Sequence, residues 1–140
     1  MGPYTAEWEP SMRRWEKRIR GQSLVEFALV LPIFLLLLIG IAEFGRAWMT
    51  RNILTGAARE AVRIAAVQQG NEASARSRAI EILASANISG GQVSLDPGGS
   101  APYGTYTATV SCPFPVTVAG FLPGLADMTL SSSTTMRKEF

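Results

Sequence analysis

Glu26 is the residue of this chain whose position most needs a chemical reason. It stands just inside the apolar run of "RIRGQSLVEFALVLPIFLLLLIGIAEFGR", which begins at Arg18. An ionised carboxylate at the centre of a bilayer costs about 2.5–3.5 kcal/mol on insertion scales, and at its edge a smaller amount that still calls for a partner. A few positions upstream the cost would vanish among Arg13, Arg14, Lys17, Arg18 and Arg20. Instead Gly21, Gln22, Ser23, Leu24 and Val25 separate the basic segment from Glu26. The chemistry open to such a carboxylate is ion pairing and hydrogen-bond acceptance.

Other chemistries find little support. The chain has no histidine and one cysteine, Cys112. An internal disulfide is impossible, Cys–His and Ser–His–Asp catalysis are excluded, and zinc would need all-carboxylate ligation. Asp96 and Asp127 are scattered, so no metal, no cofactor and no reaction centre is nominated, and an enzyme is not expected. The net charge is +2, and residues 1–21 carry five Lys/Arg against three Glu, leaving eight of each sign in the remainder. No basic face for nucleic acid emerges from that balance.

These residues must be positioned by a helix. From Leu24 to Phe44 the chain is apolar except for Glu26 and Glu43. As a helix that stretch spans about 31 Å at ~1.5 Å per residue, close to a hydrocarbon core of ~30 Å. The bland alternative, a buried core helix, leaves too little chain to surround it. Pro32 lies inside the run, where a membrane helix tolerates the kink it introduces. Gly40 offers a point of close packing.

Past the apolar run, Ile53, Leu54, Ala57, Ala58, Ala61, Ile64 and Ala65 recur at helical spacing, with Arg51, Thr55, Arg59, Glu60 and Arg63 opposite. One continuous helix from about Ser23 to about Val67 is predicted, its second half amphipathic. "QQGN" breaks it. A second helix follows over about 72–85, with Asn71 as N-cap, Glu72 and Arg76 as an i,i+4 pair, and a stripe through Ala75, Ala79, Ile82, Leu83 and Ala86. Then the period becomes two. "QVSL" at 92–95, "TYTATVSC" at 105–112 and the weaker "MTLSSSTTM" at 128–136 read as three strands, antiparallel, with one face on the helices. The fold class is α+β. Residues 1–12 show no helical period, and Trp8 and Trp15 find no role.

The bland readings also stand. Glu43 with Arg46 reads as an outer interfacial pair, with Trp48 in an aromatic belt. Arg59, Glu60 and Arg63 read as a solvated face, and Cys112 as a buried thiol.

A basic leader ending in Gly21, a glutamate at the fifth position after it, and a long apolar helix entering a small α/β part resemble a class III, type IV-like prepilin. More narrowly, "GQSLVEFALVLPIFLLLLIGIAEFGR" followed by "AAREAVRIAA" is similar to the TadE-like family, minor pilins or pseudopilins of the Tad (Flp) pilus. The likeness is specific over residues 20–67. It implies a pilin-like fold and three regions: a cleaved leader at 1–21, a transmembrane helix at 22–44 and an extracytoplasmic α+β domain at 45–140. It also implies partners. A prepilin peptidase would cut between Gly21 and Gln22, and an inner-membrane assembly platform would extract the product to join other pilin subunits through the N-terminal helix. The location implied is the bacterial inner membrane, single pass, then the pilus after processing.

Glu26 then has a physical account. Cutting after Gly21 creates an α-amine, which ordinarily titrates near pH ~8, one helical turn before the carboxylate. The pair forms within the chain or between packed helices, where it sets axial register. The competing function is an extracytoplasmic binding module, secreted or anchored, with no pilus role. For a secreted form the apolar run is about twice a typical signal-peptide core, and no small-residue cleavage site follows it.

The basic residues at 13–20 precede the span, against only Arg46, Arg51 and Arg59 in the comparable stretch after it. The positive-inside tendency puts the N-terminus in the cytoplasm and residues 45–140 outside. A reporter active only outside the cytoplasm, fused after Phe140, is expected to be active. A stably made but inactive fusion contradicts this orientation.

Overall fold

The computed structural model of the chain describes residue 2 and residues 12–68, 71–99, 104–117 and 128–139. Side chains in the first helix are described from Gly21 onward. The readings of residues 1–11, Trp8, Asp127 and most of the connection between the last two strands lie outside the described residues, as does the Trp15 side chain.

Five elements follow in order: α1 (Met12–Val67), α2 (Glu72–Ser85), β1 (Gln92–Gly98), β2 (Thr105–Phe114) and β3 (Met128–Arg137). The chain divides into two compact units, Met1–Gly40 and Ile41–Phe140, so α1 contributes to both. The helix starts earlier than the expected Ser23. The residues of "MRRWEKRIR" are mostly good helix formers, and Gly21 weakens a helix interior without ending it. Pro32 lies within α1, which continues through it while the carbonyl of Ala28 loses its usual donor.

In the first unit the apolar side chains face outward: Leu24, Phe27, Leu29, Ile33 and Leu37 are all exposed. The segment is long and apolar enough to cross a membrane, with a mean hydropathy of 2.8, and none of that window is buried. A helix apolar on every side and unburied over that window has the length and composition of a single-pass membrane anchor.

The second unit has an ordinary core. Leu54, Ala57, Ala58, Ala61, Val62, Ala65 and Ala66 of α1 are fully buried. Val62 and Ala66 join the face expected from the spacing, while Ile53 and Ile64 sit at its margin. From α2 come Ala75, Ala79 and Leu83; from the sheet, Leu95, Tyr106, Ala108, Val110, Cys112 and Phe114. Burying a large apolar side chain completely stabilises by about 1.5–3 kcal/mol, and Leu54, Val62 and Val110 are the largest hydrophobic side chains so placed.

Both ends of α2 are capped by local hydrogen bonds. Asn71 accepts from the Ser74 amide at 3.1 Å, and Glu72 pairs with Arg76 at 3.6 Å. At the other end Asn87 takes φ +57°. Its amide donates to Ala84 and that of Ile88 to Leu83, the paired bonds of a Schellman cap. Ile88 and Leu83 belong to the same apolar cluster.

The sheet is antiparallel in the order β1-β2-β3. Val110 stands opposite Val93 and Ser132, and Thr107 opposite Asp96 and Thr135. β1 runs three residues beyond the expected "QVSL", through Pro97. Proline is tolerated there because β1 is an edge strand, where a missing N–H need not break the ladder. Arg76 also donates to the Val93 carbonyl at 3.2 Å. β2 alternates between core and hydroxyl faces, and Thr107–Thr135 (2.9 Å) and Thr109–Ser133 (3.2 Å) link it to β3 on the hydroxyl side. On the helix side Thr55 bonds Ser132 at 2.8 Å.

The alanines of α1 allow the helix to lie close on its neighbours, so bulk there is costly. Ala61→Leu is expected to destabilise the second unit by about 1–3 kcal/mol through overpacking. Arg59→Leu, on the exposed face, should stay within about 0.5 kcal/mol. Denaturant unfolding of the full chain in detergent measures both.

Candidate functional site

The sequence-derived site residues Gly21, Gln22 and Glu26 lie on consecutive turns of α1, all exposed. Helical geometry puts residues four apart on one face, and Gln22 uses this: its Nε2 donates to Glu26 Oε1 at 3.3 Å. In the uncut chain the carboxylate therefore holds the side chain of the very residue that a cut after Gly21 would make N-terminal. The basic side chains upstream are outside the described residues.

Among the described residues Gly21 has no packing reason to be glycine. A Cβ built there meets nothing within 4 Å, and its φ is not among the positive values. Glycine in a helix interior costs about 1 kcal/mol relative to alanine. Within the described structure nothing offsets that cost. Pro32 is brought no closer to this cluster than its place along the helix implies.

A second cluster lies in the unit from Ile41 onward. Glu43 and Arg46 pair at 2.6 Å. Arg46 also donates to the Pro115 carbonyl and lies over the Phe114 ring, 4.3 Å from its centroid. Thr117 hydrogen-bonds Glu43. The pair anticipated as interfacial thus also ties α1 to the end of β2, a role that residue spacing alone did not reveal. Phe44 and Trp48 stack nearby, ring centroids 6.2 Å apart. Beyond them, the exposed Arg63 guanidinium holds the half-buried Glu60 carboxyl below its usual range through a 2.8 Å ion pair. The solvated-face reading of that group agrees with this.

One cleft of about 340 Å³ is lined by Arg46, Thr50, Asn87, Cys112 and Phe114 among others. Cys112 is 2% exposed, and burial pushes its thiol above the usual range. With no histidine in the chain to deprotonate it, the thiol lacks the base a nucleophilic cysteine needs. Among the described residues no group of acidic, cysteine or histidine side chains could hold a metal ion.

Comparison with known proteins matches the helix. Residues 21–63 fit the family described as TadE-like protein. The matched segment begins at Gly21, runs through Gln22, Glu26 and Pro32, and ends in the amphipathic part of α1. The resemblance read from the sequence is borne out over that segment. No curated protein and no solved structure matches the chain.

The Cys112 environment has a measurable consequence. A thiol reagent at about pH 8 is expected to label Cys112 in folded protein far more slowly than in denaturant, because the thiolate is disfavoured and the atom covered. The sign for stability follows from the raised folded-state pKa. The thiol's contribution is complete below the free-cysteine range (about 8.5) and falls as pH rises past it. Cys112→Ala should remove that alkaline slope.

Proposed function

We propose that the chain is a structural minor pilin or pseudopilin of the Tad (Flp) pilus. It is made as a single-pass membrane precursor, N-terminus cytoplasmic, and cut between Gly21 and Gln22 by a prepilin peptidase. The product passes to an inner-membrane assembly platform and packs among other pilin subunits through α1. The observation that carries this reading is the Gly21–Gln22–Glu26 cluster at the head of an anchor helix that matches the TadE-like family.

Each part has a physical role. Gly21 leaves the backbone beside the scissile bond uncovered. Removing residues 1–21 takes away the basic segment, the strongest cytoplasmic anchor, and eases extraction. The cut also supplies Glu26 with a cation one helical turn away, where the described residues offer the Gln22 side-chain amide. That is why the carboxylate is placed relative to the new terminus and not to the leader's arginines. Pro32 frees a carbonyl mid-span and is the point at which the helix bends. Residues 45–140 stand outside the membrane as the α+β head.

The experiment separates cutting from assembly. Gly21→Val adds a branched side chain beside the scissile bond and, with open space around it, leaves the helix intact. Full-length protein should then persist in the membrane when the cognate peptidase is co-expressed, and trimming at the wild-type rate would place the cut elsewhere. Glu26→Ala should insert normally and be cut at least in part. It should assemble poorly, because an unpaired charge enclosed between apolar helices is strongly destabilising. Glu26→Gln should fall between, since it accepts a hydrogen bond but cannot neutralise an amine. Normal assembly of Glu26→Ala would remove the ion pair from the account.

A further inference from the structure

The residue that the proposed cut exposes is a glutamine, and its side-chain amide is already held on Glu26. The Gln22 Nε2 is 3.3 Å from Glu26 Oε1, and the Gln22 backbone nitrogen lies one helical turn from the same carboxylate. In the uncut chain that nitrogen is an amide and unreactive. After the cut it is an amine on the residue whose own Cδ is electrophilic.

We propose that mature Gln22 is a self-modification site: its α-amine closes onto its side-chain amide to give a neutral pyroglutamyl end, with Glu26 carrying the proton. This rests on the cleavage reading above. The α-nitrogen lone pair attacks Cδ, an N–Cδ bond forms and the Cδ–Nε2 bond breaks. The proton lost by the attacking amine passes through the Glu26 carboxylate to Nε2, which leaves as ammonia. No oxidant, reductant or second substrate is needed. The ring uses atoms of Gln22 alone, so the rest of α1 stays in place. Two physical terms favour the product. The amine sits at the positive end of the helix dipole, and next to an apolar run where a charge is costly. Cyclisation removes that charge.

Glu26 acts in two opposed ways. As an anion it stabilises the ammonium, which is not a nucleophile, and so delays closure near neutral pH. Once the amine is neutral, the same carboxylate relays its proton. Pairing and closure are alternative fates of one terminus, and the cut starts the competition.

The test uses the full mature chain in detergent, with residues 1–21 replaced by a tag whose protease leaves Gln22 first. Exposure of Gln22 then does not depend on the pilus peptidase. Intact mass is followed against time from about pH 7 to about pH 10, spanning the α-amine titration near 8. Wild type should lose the mass of one ammonia, and Gln22→Ala should lose none. On the alkaline plateau, where the amine is neutral in either chain, Glu26→Gln should close about tenfold more slowly, below the usual range of a general acid–base contribution because the carboxylate is exposed. The rise in rate with pH should have its midpoint lower in Glu26→Gln than in wild type, because the ion pair is gone. Loss of ammonia from neither chain, or identical plateau rates and midpoints, overturns the proposal. Closure in this system alongside a cellular chain that never begins at Gln22 leaves the self-modification standing and defeats the processing reading.

Discussion

A carboxylate on an apolar helix has to be neutralised or hydrated by something, and the N-terminal part of this chain is organised around what is available to do it. Glu26 has no cation on its own stretch of α1 after Gly21, and what the helix offers is the Gln22 amide. That is a weak, exposed contact. It suits a carboxylate waiting for a better partner more than one already satisfied. Glu43 shows the contrast. At the other end of the apolar run it has Arg46 at 2.6 Å and Thr117 besides, so its charge is answered within the folded unit. One end of the span is complete in the single chain; the other becomes so, in the proposed reading, only after a bond is cut.

The head obeys a different constraint. Its sheet has one face to cover, and α1 and α2 cover it with small residues, so that the core is an alanine stripe against Val110, Cys112 and Tyr106. Such a core depends on close approach more than on large side chains. α1 therefore has to meet two demands: an all-round apolar surface before Phe44 and a one-sided alanine face after Ile53.

Much of this was legible because the periods are clean. The 3–4 spacing of Leu54, Ala57, Ala61 and Ala65 located the buried face, and Tyr106, Ala108, Val110 and Cys112 gave the core side of β2. Asn71 announced its helix by its capping chemistry. β3 was fainter for a physical reason: its inward positions include Ser132 and Thr134, and Ser132 is satisfied by a hydroxyl of α1 rather than by apolar contact. The extension of β1 through Pro97 was hidden because proline reads as a strand breaker unless the strand lies at a sheet edge, and edge status is a property of the whole sheet. The early start of α1 was missed because a basic, polar segment carries no apolar period. Of the candidate site, Gly21 and Gln22 were nominated by the end of the basic segment and the family resemblance, and Glu26 and Glu43 by their place in the apolar run. The link from Arg46 to Pro115 joins residues far apart in sequence, and no local pattern encodes it.

Where the mature chain begins decides between a processed pilin subunit, a plain anchor and a secreted domain. Intact mass and N-terminal sequencing of the protein recovered from membranes of a cell that makes it, with its processing machinery, test this most directly. The account predicts a chain that starts at Gln22, as the free amine or its cyclised form. A chain that still carries Met1 would make the leader a plain anchor. A chain that starts beyond Phe44 would make the apolar run a secretion signal, and either result would contradict it.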